Sequence, residues 1–234
     1  MALTFYTNPM SRGRIVRWML EEVGAPYETV VLDYATTMKA EPYLSINPMG
    51  KVPAVVHDGH VVTECAAICT YLAEAFPDAG LAPTAEERAD YYRWMFYAAG
   101  PAEQAVTNRA MGFTPTAEQG RMAGYGSFDL MVDTLERAVS AHPYFAGERF
   151  TAADVYAGSQ VAWGVQFGSL PKRDAFDDYL ARVLARPAYQ RAGKIDDALI
   201  AAAARRGDGA PTPVDTVTSC SCEGRSLGAA RRLS

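Results

Sequence analysis

The sequence contains no apolar run approaching the roughly 20 residues that a membrane-spanning helix requires. Its first residues, MALTFYTNPMSRGR, also lack the charged and then apolar order of a secretion signal. Because both features are absent, we expect a cytoplasmic protein that does not act in a membrane.

Cysteine and histidine are too few and too unevenly spaced for a disulfide framework or a metal site. Cys65 and Cys69 lie on one predicted helix, and Cys220 and Cys222 lie in an irregular tail. In a reducing cytoplasm all four are expected to be free thiols. The three histidines make no metal-ligand spacing with them. We therefore predict no bound metal, and we find neither a nucleotide-binding loop nor a Ser-His-Asp order.

The chain carries no excess of positive charge. Its 22 Lys and Arg against 27 Asp and Glu give a net charge of −5, which offers no electrostatic attraction to nucleic acid or anionic lipid. We expect neither as a partner. The hydrophobic fraction of 49% is that of a globular protein, and 234 residues allow one large or two modest domains.

The first eighty residues alternate between strand and helix patterns. Residues 3–6 form an apolar run, residues 15–23 repeat their apolar side chains at helical spacing, and Gly24 ends that helix. Residues 27–32 then have the pattern of a strand. This strand, helix, strand order favours a parallel pair joined by a crossover helix.

A different arrangement follows. Residues 52–56 and 60–62 have strand patterns, and the dipeptide Asp58-Gly59 between them is typical of a hairpin turn. A helix is predicted over residues 64–76. The order β-α-β followed by β-β-α is typical of a thioredoxin-like sheet. After Pro77 the strand patterns largely vanish, and the chain is helical in period to about residue 205.

We therefore predict a fold of the class α/β plus all-α. A thioredoxin-like domain with a mixed four-stranded sheet spans residues 1–78, a linker spans 79–84, and a helical bundle domain spans 85–205. Residues 206–234 are rich in Pro, Gly, Ser, Thr and Arg, and we expect them to form a poorly ordered tail.

Ser11 lies in the loop between the first strand and the first helix. Ligands gather beyond strand ends in α/β sheets, and a helix N-terminus carries partial positive charge. The Ser11 hydroxyl could donate a hydrogen bond to a sulfur atom there and favour its thiolate. The alternative interpretation is an ordinary turn or cap residue.

Two further segments could bind an extended, charged ligand. Pro53 has no N–H and begins a strand only at an edge, which leaves the backbone of Val52 free to pair with a peptide. At the start of the next helix, Thr63-Glu64-Cys65 could hold a carboxylate through backbone amides. The alternative there is that Thr63 caps its own helix.

Taken in order, these segments resemble the cytosolic glutathione transferase superfamily. The stretch SRGRIVRWMLEEVGAPYE is similar to its bacterial serine-type members. The resemblance covers about residues 3–200, and its most specific elements are NPMGKVPAVV and FTAADV. In the second of these, Thr151 and Asp154 have the spacing of a capping box.

The resemblance implies that glutathione is the co-substrate and that residues on several segments of the N-terminal part hold it. It implies that the backbone of Val52 pairs with the cysteinyl part and that Pro53 is cis. Glu64 and Cys65 would hold the γ-glutamyl end. The family usually has Ser where this chain has Cys65, and a thiol is a weaker donor, so γ-glutamyl affinity is expected to fall.

The resemblance also places Ser11 near the sulfur, as the catalytic residue, and makes Lys39 and Lys51 partners of the glycyl carboxylate. Other groups in the same loop could contact the sulfur instead: Tyr6, Asn8 and the amides of Arg12 and Gly13. Cys65 lies where a helix dipole would favour its own thiolate, which leaves a redox or glutathionylation role open.

The pocket for a second substrate should lie between the two domains. The aromatic residues of the first long helix are too many to be buried on one face, and Gly100-Pro101 should break or kink that helix. We expect Met10 and Tyr97 to form part of the pocket wall, with plain core packing as the alternative for Tyr97.

The leading functional hypothesis is a glutathione transferase that conjugates the glutathione thiolate to a small, apolar electrophile, as in detoxification. The resemblance implies a homodimer. Two alternatives are open: a glutathione-dependent disulfide or peroxide reductase, with Cys65 or the bound thiol as the redox centre, and a non-catalytic binding protein that keeps the fold.

Overall fold

The computed structural model describes residues 2–207. The predicted tail at 206–234 lies outside the described residues from residue 208 onward, and so do Cys220 and Cys222. Among residues 2–207, no helix has both the length and the apolar character needed to cross a membrane.

The N-terminal part is built on one mixed four-stranded sheet. Its elements are β1 (Leu3–Thr7), α1 (Gly13–Val23), β2 (Glu28–Val31), β3 (Ala54–His57), β4 (His60–Thr63) and α2 (Cys65–Ala75). The strand order is β2-β1-β3-β4, with β1 and β2 parallel and the other pairs antiparallel. This topology confirms the predicted thioredoxin-like sheet. Two short 3₁₀ turns lie in the connection between β2 and β3.

Helix α1 forms as its apolar spacing predicts. Ile15, Met19 and Leu20 are fully buried on one face, and that burial removes apolar surface from water at about 25 cal/mol per Å². The helix ends at Gly24, whose φ of 73° is left-handed and whose N–H donates to the Leu20 carbonyl at 2.9 Å.

Gly13 lets the start of α1 approach the end of β1. A Cβ atom at Gly13 would lie 2.0 Å from Oγ1 of Thr7, closer than real Cβ atoms approach other atoms. Any side chain at residue 13 would therefore push the helix N-terminus away from the sheet.

The predicted hairpin is also present. Asp58 and Gly59 both have positive φ, 47° and 84°, which is the conformation that an Asp-Gly hairpin turn adopts. The hairpin aligns β3 with β4 and delivers the chain to the start of α2 at the sheet edge.

The C-terminal part is helical. Its helices are α3 (Arg88–Tyr97), α4 (Glu103–Ala110), α5 (Phe128–Ala141), α6 (Ala152–Gln166), α7 (Asp174–Leu184) and α8 (Pro187–Arg206). A π-helical turn at Ala98–Ala102 contains Pro101 and joins α3 to α4, where the sequence predicts a break or kink. Helix α6 is buried over most of its length and forms the centre of this part.

The capping box at the start of α6 is confirmed. The Thr151 hydroxyl accepts the Ala153 N–H at 3.3 Å, and the Asp154 carboxylate accepts the Thr151 N–H at 2.9 Å. Asp154 also accepts the Phe145 N–H at 2.9 Å and the Tyr179 hydroxyl at 3.0 Å. This side chain therefore fixes the loop before α6 and helix α7 as well as its own helix.

A buried ion pair joins α1 to α8. Nε of Arg17 donates to Oδ1 of Asp196 at 3.2 Å, and each side chain is only 1% exposed. The guanidinium also donates to the Tyr27 hydroxyl at 3.1 Å and to Oγ1 of Thr29 at 2.8 Å, and it lies 4.9 Å from the ring centre of Phe5. One side chain thus links the sheet, α1 and the last helix.

The Arg17–Asp196 ion pair fixes the position of α1 against α8 more than it stabilises the fold. Burial raises the pKa of Asp196, although Arg17 and Arg14 nearby oppose that shift. Within the described part of the chain, Nη2 of Arg17 and Oδ2 of Asp196 have no hydrogen-bond partner. Because both ions are desolvated and incompletely hydrogen-bonded, the cost of burying them offsets much of their attraction.

We predict that Arg17→Met lowers the free energy of unfolding by about 3–5 kcal/mol, because it leaves the Asp196 carboxylate buried without a counter-ion. The double variant Arg17→Met/Asp196→Leu should regain most of that loss. Urea unfolding measures both.

The exposed pair Arg93–Asp90, with side chains 64% and 50% exposed, supplies the control. Arg93→Met should cost less than about 1 kcal/mol. An Arg17→Met variant as stable as Arg93→Met would contradict the proposed role of the buried pair.

Candidate active site

A cavity of about 960 Å³ lies between the sheet edge and the helical part. The β1-α1 loop, the β2-β3 connection and helices α4, α5, α6 and α8 contribute its walls. Its polar lining, here called the polar end, comes from the N-terminal part: Ser11, Arg12, Arg14, Tyr34, Lys39 and Lys51. Its apolar lining, here called the apolar end, comes mainly from the helical part and includes Met10, Val106, Leu135, Trp163, Phe167 and Ile200. The cavity can therefore hold a charged and an apolar ligand side by side.

The N-terminus of α1 points one free amide toward the polar end. Within the described residues, the N–H of Arg12 donates to no protein acceptor, whereas the N–H of Gly13 donates to Oγ of Ser11 at 2.9 Å. The Ser11 hydroxyl in turn donates to the Asn8 carbonyl at 2.6 Å. A helix N-terminus with an unused amide stabilises negative charge.

The structure also limits the other candidates for contact with a sulfur atom. The Asn8 side chain donates to the Leu32 carbonyl at 2.9 Å and accepts the Met10 N–H at 2.9 Å, so it is held in the loop. The ring of Tyr6 packs 5.6 Å from that of Tyr43 and is not among the cavity-lining residues. The Arg12 amide and the Ser11 hydroxyl are left on the cavity wall.

Val52, in the connection before β3, also lines the cavity. In the described part of the chain, neither its N–H nor its C=O forms a hydrogen bond. The neighbouring carbonyl of Lys51 is held by Asn47 at 2.9 Å and by the Tyr43 hydroxyl. The Val52–Pro53 bond is cis, as the resemblance implies. Pro53 itself is buried and does not line the cavity.

Both predicted lysines reach the polar end of the cavity. Nζ of Lys39 donates to the Gly50 carbonyl, which places its charge beside the loop before Val52. Lys51 is exposed. Two ammonium groups close to an unpaired backbone segment can bind a peptide carboxylate.

The start of α2 is shaped by a strained residue. Glu64 is exposed and has φ of 68°, which is uncommon for a residue with a side chain. Thr63 does not cap the helix, because no side-chain hydrogen bond is made at this N-terminus. The amides of the first turn are therefore uncapped, although Glu64 is not itself among the cavity-lining residues.

The expectation that the helix dipole ionises Cys65 is wrong. Its side chain is buried, its thiol points to the Arg12 carbonyl at 3.6 Å, and it does not line the cavity. Burial raises the pKa of Cys65 to about 12, and Glu103 adds to the rise while Arg12 opposes it. Desolvation thus outweighs the helix dipole, and the thiol stays protonated.

The apolar end of the cavity differs from the expected one. Met10 lines it and is 48% exposed. Tyr97 is absent from the lining residues between 2 and 207, and its hydroxyl instead donates to the Met131 carbonyl at 3.0 Å. Tyr97 therefore has the packing role that was given above as the alternative to a place in the pocket wall. Trp163 on α6 and Phe167, directly after the end of that helix, contribute to the wall that sequence reasoning missed.

An ion pair joins the β1-α1 loop to the helical part. Nε of Arg12 lies 3.5 Å from Oε1 of Glu103, which also accepts the Tyr156 hydroxyl at 3.0 Å and Nε2 of Gln160 at 2.9 Å. Sequence reasoning missed this network, because no local pattern marks Glu103 as a partner of Arg12.

Tyr34 is a further cavity-lining residue that sequence reasoning missed. It lies in the turn after β2, close enough to Ser11 for that residue to oppose the rise in its pKa. As for metals, the described residues contain no group of three or more His, Cys, Asp or Glu side chains placed to hold an ion.

Solved structures share this architecture over most of the chain. The crystal structure of a glutathione transferase from Methylococcus capsulatus str. Bath is similar with a TM-score of 0.69 and 27% identity, covering 84% of this chain and 100% of that one. The theta class glutathione S-transferase of Xanthomonas axonopodis pv. citri, with glutathione bound, has a TM-score of 0.64 and 29% identity and covers 82% of this chain and 96% of that one. The chain therefore belongs to the class of proteins in which a thioredoxin-like domain is followed by a helical part.

Sequence similarity narrows the class to one family. Residues 1–74 match the family described as "Glutathione S-transferase, N-terminal domain". Glutathione S-transferase GST-4.5 of Xanthomonas campestris pv. campestris is 31% identical over 204 residues, covering 81% of this chain and 97% of that protein. The chain belongs to the glutathione S-transferase family.

We predict that Cys65 reacts slowly with iodoacetamide at neutral pH. With its pKa raised to about 12, the thiolate fraction at pH 7 is on the order of one in 10⁵. Peptide mapping by mass spectrometry should show alkylation of Cys65 at least about a hundred-fold slower in the native chain than in urea. Equal rates in the two states would contradict the assigned burial, and Cys65→Ser identifies the labelled peptide.

Proposed function

We propose that this chain binds glutathione as the thiolate and conjugates its sulfur to a small, apolar electrophile. The observation that carries the proposal is that one cavity is lined by two residues that each have a backbone group without a hydrogen bond to residues 2–207. Arg12, with its free amide, and Val52, with its unpaired backbone, both line this cavity. A tripeptide bound along Val52 would direct its cysteine side chain toward the helix N-terminus.

The charges at the polar end support the same ligand. Glutathione carries two carboxylates, and Arg12, Arg14, Lys39 and Lys51 all line this end. Arg14 is paired with Asp197 at 2.9 Å. The structure of the Xanthomonas axonopodis relative was solved with glutathione bound, which supports glutathione as the substrate here.

The reaction we propose is nucleophilic substitution or addition at carbon. The thiol gives its proton to water, the thiolate electron pair forms the S–C bond, and in a substitution the leaving group departs with the pair of the broken bond. The chain contributes a higher thiolate fraction at the start of α1 and the alignment of the two reactants. Met10 and the α6 side chains would hold the electrophile at the apolar end.

Ser11 can take part only if its hydroxyl turns. It now donates to the Asn8 carbonyl, and a hydroxyl has a single hydrogen to donate. On rotation that hydrogen can point to the sulfur, while the Gly13 N–H still holds the oxygen in place.

No observation on Cys65 favours the reductase alternative, because a buried, protonated thiol is a poor redox centre. The non-catalytic alternative is decided by kinetics. The homodimer and the cytoplasmic location implied by the resemblance stay predictions.

The experiment is conjugation of a chloronitroarene with glutathione, followed by absorbance of the product. We expect turnover by the wild-type chain and a loss of about ten-fold or more in kcat/KM for Ser11→Ala, since a hydrogen bond to a charged atom contributes about 1.5–3 kcal/mol. Glutathione binding by calorimetry should change far less.

Ser140→Ala is the matched control, because Ser140 lies exposed on α5 and its hydroxyl donates only to the Glu136 carbonyl. It should conjugate at the wild-type rate. A wild-type chain that binds glutathione without conjugating any electrophile would support the non-catalytic alternative, and one that does not bind glutathione would refute the proposal.

A further inference from the structure

The Ser11 hydroxyl, which the proposed function places near the glutathione sulfur, already forms hydrogen bonds within its own loop. The single hydrogen of Ser11 is engaged with the Asn8 carbonyl at 2.6 Å, and one lone pair of its oxygen accepts the Gly13 N–H at 2.9 Å. To donate to a sulfur atom, Ser11 must leave the Asn8 carbonyl without that bond. A donor that is not already used in the loop would serve the thiolate at lower cost.

Tyr34 is the other hydroxyl at this end of the cavity, and its turn is strongly ordered by hydrogen bonds. The carboxylate of Asp33 accepts the N–H groups of Ala35 and Thr36 and the Thr36 hydroxyl, each at 2.9 Å. The Asp33 N–H donates to the Thr37 hydroxyl at 2.8 Å. This network, made by the residues on both sides of Tyr34, holds its backbone in place.

The same turn is fastened to the β1-α1 loop. The Asn8 side chain donates to the Leu32 carbonyl at 2.9 Å, and the Leu32 N–H donates to the Thr7 carbonyl at 2.8 Å. The two segments that carry Ser11 and Tyr34 are therefore held at a fixed separation. Both side chains line the cavity, and Ser11 is close enough to oppose the rise in the pKa of Tyr34.

Tyr34 is free to move its hydroxyl group to a ligand. Its side chain is 38% exposed and lines the cavity. Burial raises the pKa of Tyr34, with Ser11 opposing the shift. The phenol therefore keeps its proton at neutral pH and can act only as a donor toward an anion.

We propose that the Tyr34 hydroxyl donates a hydrogen bond to the glutathione thiolate, next to the free Arg12 amide, and so acts as a catalytic residue of the proposed conjugation. The inference rests on the proposed function. At rest Ser11 holds the loop, with its single hydrogen on the Asn8 carbonyl, and on rotation it can add a second hydrogen bond beside that of Tyr34. No proton is transferred from Tyr34, because the thiol gives its own proton to water.

The charges that face the sulfur come from several elements. Arg12 and Arg14 lie at the start of α1, Lys39 and Lys51 lie in the β2-β3 connection, and Asp197 lies on α8. Tyr34→Phe changes none of these charges and removes one oxygen atom. A change in the ionisation of bound glutathione can therefore be assigned to the lost hydrogen bond.

The test is a pH titration of bound glutathione, followed by the ultraviolet absorbance of the thiolate, in the full chain. We expect Tyr34→Phe to raise the proton affinity of the bound thiol about ten-fold, since a hydrogen bond to a charged group is lost. Conjugation at neutral pH should fall by about the same factor and recover at higher pH, while the affinity for S-methylglutathione stays within about two-fold.

Tyr92→Phe is the matched control. Tyr92 is 37% exposed on α3, and its hydroxyl contacts Glu74 at 3.5 Å, away from the cavity. Glutathione bound to the Tyr92→Phe variant should titrate as it does when bound to the wild type. If Tyr34→Phe also titrates like the wild type while the wild type lowers the pKa of the thiol, the role of Tyr34 is refuted and conjugation stands. If the wild-type chain does not bind glutathione, both proposals fail.

Discussion

The position of helix α1 is the constraint on which the rest of the structure depends. Its buried face packs on the sheet and on α8, and Arg17 joins both through one guanidinium group that is 1% exposed. Its first turn is pressed against β1 because residue 13 has no side chain. A small rotation of α1 would break these contacts together. The free amide at its N-terminus is therefore held at a fixed point between the two parts of the chain.

The two ends of the cavity follow from this placement. Loops after β1 and β2 bring the hydroxyl and cationic groups to one side, where the sheet edge leaves the backbone of Val52 unpaired. Helices α4, α5, α6 and α8 bring apolar side chains to the other side. The contact between Arg12 and Glu103 joins the β1-α1 loop to the helical part beside this cavity. A charged thiol and an apolar acceptor can thus be bound in one cavity.

The features that the sequence predicts correctly are those with local causes. Gly24 ends α1, Asp58-Gly59 makes the hairpin turn, and Thr151 with Asp154 caps α6, because each depends on residues within four positions in the chain. The sheet order follows from the sequence of these elements. Ser11, Val52 and the two predicted lysines were chosen through the loops that carry them and all line the cavity, while their part in binding glutathione stays a prediction.

The features that the sequence does not predict depend on contacts between distant segments. The dipole argument for Cys65 is sound locally, but the thiol is buried against Arg12, 53 positions earlier in the chain. Tyr97 turns to the Met131 carbonyl on another helix, and α6 supplies the cavity wall instead. Tyr34 lines the cavity from a turn that Asn8 and Thr7 hold beside the first loop. Periodicity shows that these residues are apolar or polar, but it does not show what they face.

A crystal structure of the chain with glutathione tests the central claim most directly. The account predicts that the sulfur atom lies within hydrogen-bonding distance of the Arg12 amide at the start of α1, while the backbone of the cysteinyl residue pairs with Val52. Glutathione bound with its sulfur turned away from α1, or with no contact to the backbone of Val52, would contradict it.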